Sequence, residues 1–137
     1  MARDPLAVLW RLRDAAVTEA SRDLAAARAR EAYAAQRLDE HVRLMARERS
    51  EAGTAHATAF AAWLPHARQH ADGLRAGLLG ETARVAQLQQ VLAARRTEAE
   101  AVAKAQQRQE AEARLAQARR DQAVMDEVAG RKRSVSR

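Results

Sequence analysis

Cysteine and isoleucine are absent from these 137 residues, and the aromatic complement is one phenylalanine, one tyrosine and two tryptophans. Without cysteine there are no disulfides, no thiolate catalysis and no cysteine-based zinc sites. Large apolar side chains are what a compact core buries, each contributing roughly 1.5–3 kcal/mol, and this chain has too few for a thick globular core. No apolar run is long enough to span a bilayer, and no signal-peptide core follows the N-terminus, so a cytoplasmic location is expected. Proline occurs only twice and glycine five times.

Alanine dominates what remains and makes up more than half of the 47% apolar content. Together with leucine, arginine, glutamate and glutamine it points to long helices or coiled coil. High helix propensity and periodic placement of alanine and leucine argue against disorder. Basic residues number 24 against 18 acidic ones, a net charge of +6. That balance favours acidic partners, whether protein, nucleic acid or membrane surface, without choosing among them.

The first helix is predicted to start at Asp4-Pro5, an N-cap aspartate followed by a proline at the first helical position. From there Trp10, Val17, Leu24, Glu31, Leu38 and Met45 form one seven-residue row, and Arg13, Ala20, Ala27, Ala34, His41 and Glu48 form another. The two rows alternate three and four residues apart, the spacing of a coiled-coil seam with alanine on one edge. A second arm repeats the signal through Leu74, Leu78, Val85, Leu88, Leu92, Ala99 and Val102. Its phase falters across Gln106–Gln109, and a new run begins at Leu115, Ala118, Gln122 and Met125. Such a break alters supercoiling locally, or marks where a partner replaces the internal seam. Asp39/Arg43, Glu100/Lys104, Glu110/Arg114 and Glu127/Arg131 are acid-before-base pairs at i,i+4, as expected on solvated helix faces. Gly130, followed by Arg131-Lys132-Arg133, reads as a helix stop.

Pro65 lies near the midpoint, and an interior proline costs a helix about 3 kcal/mol. The sequence therefore predicts an all-α fold, a long antiparallel two-helix coiled-coil hairpin occupying 1–137. Helix one is placed at about 5–63, a tip at 63–66, helix two at about 65–130 and a basic tail at 131–137. An alternative turn falls at 72–80, where Gly73, Gly77 and Gly80 weaken the helix. With the turn at Leu64-Pro65, Phe60, Trp63 and Leu64 sit at the tip, either stapling it or offering an apolar partner contact. The same folding brings Leu6, Leu9, Trp10 and Arg13 beside Met125, Val128, Arg131, Lys132 and Arg133 at the open end. That end combines apolar anchors with cations and is the second candidate partner surface.

No catalytic constellation is legible. Ser21, Ser50, Ser134 and Ser136 lack any mark of a nucleophile, and a two-helix hairpin offers no water-excluding pocket. His66 and His70 lie at i,i+4, but further ligands for a metal are missing, so neither metal nor cofactor is expected. Gly73-x-x-x-Gly77 contains Arg75 and is not a membrane packing motif. The basic tail could contact nucleic acid, but the scarcity of aromatics counts against specific single-strand binding.

The opening Ala2-Arg3-Asp4-Pro5-Leu6-Ala7-Val8-Leu9 and the segment Arg119-Arg120-Asp121-Gln122-Ala123-Val124-Met125-Asp126-Glu127 resemble the flagellar export family FliJ. The type III secretion stalk proteins of the YscO group are its relatives. The resemblance covers essentially the whole chain. It implies a non-enzymatic cytoplasmic coiled coil similar to the central stalk of rotary ATPases, peripheral to the inner membrane at the export apparatus. It further implies three partners: the hexameric export ATPase, the cytoplasmic domain of the export gate, and substrate-specific export chaperones. Motility and, through it, chemotaxis would be the processes served. Two other readings of the same residues are a basic coiled coil that binds nucleic acid and a purely structural spacer.

Overall fold

The computed structural model describes residues 4–136. Ala2 and Arg3 of the opening motif and Arg137 of the basic tail lie outside them. The fold is all-α, a two-helix hairpin built from α1, Pro5–Ala52, and α2, Ala57–Val135. Among the described residues there is no strand.

The start of α1 follows from its sequence. The Leu6 amide donates to Asp4 Oδ1 at 3.0 Å, so the aspartate caps the helix while proline fills a position that needs no amide hydrogen.

The chain forms two compact units, residues 16–95 and the pairing of 4–15 with 96–136. In the first, Ala20, Leu24 and Ala27 of α1 form one apolar cluster with Val85, Leu88 and Leu92 of α2, and Val17 packs against it. Every α1 residue here is a member of the two rows read from the sequence. Leu38, His41 and Met45 continue those rows as half-buried residues. On α2 the inward set includes Leu64, Ala67, Ala71, Leu74, Leu78, Glu81, Val85, Leu88 and Leu92, again alternating three and four apart. Alanine shapes this seam: Ala27, Ala67 and Ala71 are at most 3% exposed, and no large side chain among the described residues is completely enclosed. Small side chains permit close approach but remove little apolar area from water, so stability accumulates in small increments along the length.

In the second unit Val102 is buried, with Ala99, Ala105 and Gln106 half-buried beside it. Arg13 Nη1 donates to Glu98 Oε2 at 2.8 Å across the two helices. From residue 107 to 136 every side chain is exposed.

The turn differs from the sequence expectation. It lies at residues 53–56, not at Leu64-Pro65 and not at 72–80. Gly53 adopts φ 49°, the left-handed conformation that ends helices and that residues with a Cβ avoid. The His56 amide donates to the Ala52 carbonyl at 3.0 Å and closes the turn, after which α2 begins. Pro65 therefore stands inside α2. It cannot donate to the carbonyl of Ala61, but both residues face solvent, where water satisfies that carbonyl. Just beyond it, His41 Nε2 of α1 donates to the Ala67 carbonyl at 2.8 Å, which fixes the Nε2–H tautomer and ties α2 to α1. The buried Ala67 and Ala71 and this bond anchor α2 directly after the proline and offset its local cost.

Gly130 likewise fails to stop α2, which continues to Val135, so residues 131–135 of the supposed basic tail are helical. Of the four i,i+4 pairs, Asp39/Arg43, Glu110/Arg114 and Glu127/Arg131 close at 3.0, 3.5 and 2.7 Å.

Candidate interaction surfaces

Moving the turn changes every pairing across the helices. Three cross-helix contacts fix the register: Arg13 with Glu98, Arg30 with Glu81, and the His41 ring against the His70 ring. In each pair the two residue numbers add to 111, as an antiparallel pair centred on residues 53–56 requires. A turn at Leu64-Pro65 would instead have set Arg13 near residue 116.

The expected open-end surface consequently divides. Asp4 shares a shallow groove with Gln106, Gln109, Glu110 and Ala113. Met125 lies twelve positions beyond Ala113, roughly 18 Å along a helix at 1.5 Å per residue. Leu6, Leu9, Trp10 and Arg13 are therefore not brought beside Met125, Val128, Arg131, Lys132 and Arg133. Leu6 is half-buried, while Leu9 and Trp10 are partly exposed, and Arg13 is held by Glu98.

The uncovered part of α2 forms a surface of its own. Leu115, Val124, Met125 and Val128 are 47–66% exposed. Arg131, Lys132 and Arg133 follow directly, with Arg131 bonded to Glu127 at 2.7 Å. Apolar residues succeeded by cations make an amphipathic helical segment with no covering partner among the described residues.

The second candidate surface keeps its place beside the turn, although it is not the turn. Phe60 and Trp63 stand in the first two turns of α2, both half-buried, with ring centroids 5.7 Å apart and planes tilted by 45°. Leu64 is half-buried next to them. The aromatics line a groove of about 500 Å³ together with Glu48, Glu51, Ala52 and His56. Sequence reading missed the two glutamates and His56, because it put the aromatics opposite other residues. Gly53 was the available signal.

A further groove of about 480 Å³ runs along the helices between Arg37 and the α2 residues His66, Gln69, His70, Gly73 and Leu74. Arg37 also lies 5.9 Å from the centre of the exposed Tyr33 ring. Among the described residues no group of three or more His, Asp or Glu is placed to hold a metal ion. No helix is long and apolar enough to cross a membrane among the described residues.

Paired long, alanine-rich helices are what the resemblance to the flagellar export family implied. The family model described as flagellar FliJ protein matches residues 1–137. The chain belongs to the FliJ family. Membership makes it a component of flagellar protein export, a family of non-catalytic parts of that apparatus. No curated protein and no solved structure matches the chain.

Proposed function

We propose that this FliJ-family protein is the central stalk of the flagellar export ATPase and an escort for substrate-specific export chaperones, acting at the cytoplasmic side of the inner membrane. The observation that carries this reading is the bare stretch of α2, where residues 107–136 are all exposed although Leu115, Val124, Met125 and Val128 are apolar. Most helical stability in proteins comes from packing of an apolar face, and this exposed stretch has little of it. The stretch becomes favourable where a surrounding surface covers it, and the pore of a hexameric ring offers such a surface. In this reading Met125 and Val128 are the buried anchors, and Arg131, Lys132 and Arg133 are rim cations that meet acidic loops. Leu6, Leu9, Trp10 and Arg13 supply a separate, lesser contact. Phe60, Trp63 and Leu64, at the turn end, face the cytoplasmic domain of the export gate, while chaperones use the solvated helix faces between.

The test is Met125→Asp with Val128→Asp in the full chain. Both side chains are exposed, so thermal unfolding is expected to stay unchanged while binding to the export ATPase is lost. Undiminished ATPase stimulation by this variant contradicts the stalk reading. The competing reading as a nucleic-acid binder gains only if Lys132→Ser with Arg133→Ser abolishes DNA affinity and the unaltered chain never binds the ATPase.

A further inference from the structure

The chain carries a net charge of +6, yet its best-formed groove is rimmed by carboxylates. Glu48 and Glu51 are three positions apart on the last turns of α1, so both reach the same side of the helix. Neither takes part in an ion pair or hydrogen bond among the described residues, whereas Glu81, Glu98, Glu110 and Glu127 each hold an arginine. Opposite them stand Phe60 and Trp63, half-buried and in contact with each other. Ala52 supplies apolar floor between the two walls, and the whole opens to solvent with about 500 Å³ of space.

We infer that this groove is a receptor for an arginine side chain on a basic segment of a protein partner. The chemistry of the walls selects that occupant. Aromatic faces attract a cation through the ring quadrupole, by about 0.5–1 kcal/mol at exposed sites and more where water is excluded. Carboxylates add charge-assisted hydrogen bonds, and a guanidinium can make two of them in parallel. A planar guanidinium stacks on an indole while its edge faces the carboxylates, whereas a lysine ammonium can satisfy only the charge. An acidic or purely apolar segment would leave Glu48 and Glu51 facing like charge or unsolvated. This inference rests on the proposal that the turn end is a docking surface, and it names the chemistry of what docks.

The chain's two tryptophans allow a direct test. Trp10→Phe leaves Trp63 as the sole indole reporter. Blocked peptides of sequence Ala-Arg-Ala-Ala-Arg-Ala, its lysine counterpart and its glutamate counterpart are titrated at low salt while Trp63 fluorescence is followed. The arginine peptide is expected to give a saturable change, the lysine peptide a weaker one and the glutamate peptide none. Glu48→Gln with Glu51→Gln should weaken the arginine peptide at least tenfold with helicity unchanged, since both side chains are exposed. Absence of a saturable change, or equal binding by the double variant, overturns the inference. Binding of the gate's cytoplasmic domain to Phe60→Ala with Trp63→Ala separates the two levels. If gate binding is lost while the arginine peptide never bound, the docking surface stands and its cationic chemistry is wrong. If gate binding survives while the arginine peptide binds as expected, the groove serves another basic partner.

Discussion

The same helix is built on two plans. Between residues 64 and 92, α2 presents leucine, valine and alanine at three- and four-residue steps, and each of those positions is buried or half-buried. Between 107 and 135 it keeps a similar proportion of alanine but carries 12 charged residues against 5 in the first stretch, and its Leu115, Val124, Met125 and Val128 are exposed. Composition and phase both separate the two stretches. In the first, apolar residues repeat at the period of a seam and face one partner for several turns. In the second, Val124 and Val128 share a side with Met125 next to them, while Leu115 lies on the opposite side, so the apolar residues form no continuous stripe. A helix with a broad, weak apolar surface suits an enclosing partner better than a second helix. The comparison teaches that pairing here needs both enough large apolar residues and a period that keeps them on one face.

Substituting leucines by asparagine in both stretches should produce the widest contrast. Leu24→Asn with Leu88→Asn places unpartnered polar groups in the buried cluster, at about 1–3 kcal/mol each, and should lower the melting temperature of the hairpin sharply. Leu115→Asn, in the bare stretch, should shift melting by no more than about 0.5 kcal/mol. Equal effects would erase the distinction between the two plans.

Pro65 tests how far the seam carries α2 through a local penalty. Pro65→Ala restores the hydrogen bond to Ala61 and should stabilise the chain by up to about 3 kcal/mol, read as a raised denaturant midpoint. No change would mean that the proline costs nothing where it stands. Gly53→Ala should act in the opposite direction, costing about 1–2 kcal/mol, because φ 49° crowds a Cβ against the following carbonyl. A neutral substitution there would show that the turn can relocate. The smallest effect belongs to Arg13 and Glu98: both side chains are 40% exposed, so a double-mutant cycle should give less than about 1 kcal/mol.

These residues also show what was readable in advance. The two rows on α1 and the seven seam positions on α2 were legible, because burial imposes its period directly on the sequence. The falter at Gln106–Gln109 was legible too, and it coincides with the end of the covered stretch. The turn was not. Pro65 carries a large local penalty and drew the break to itself, whereas Gly53 is a single residue without a neighbouring proline or aspartate. Propensity counts one residue at a time, but a helix held just beyond the proline by Ala67, Ala71 and the His41 bond resists interruption as a unit. One error in the turn then displaced every opposite partner by about twice that error. It separated Trp10 from Met125 and hid Glu48 and Glu51 behind the aromatics they accompany.

Hydrogen exchange of the full chain, alone and with the export ATPase ring, tests the central claim most directly. Alone, amides of residues 17–27 and 85–92 should be protected and those of 107–135 should exchange rapidly, since every side chain of that segment is exposed. On adding the ring, protection should rise across 107–135 and stay unchanged in the seam. Strong protection of 107–135 in the isolated chain, or new protection confined to the turn end, would contradict the account.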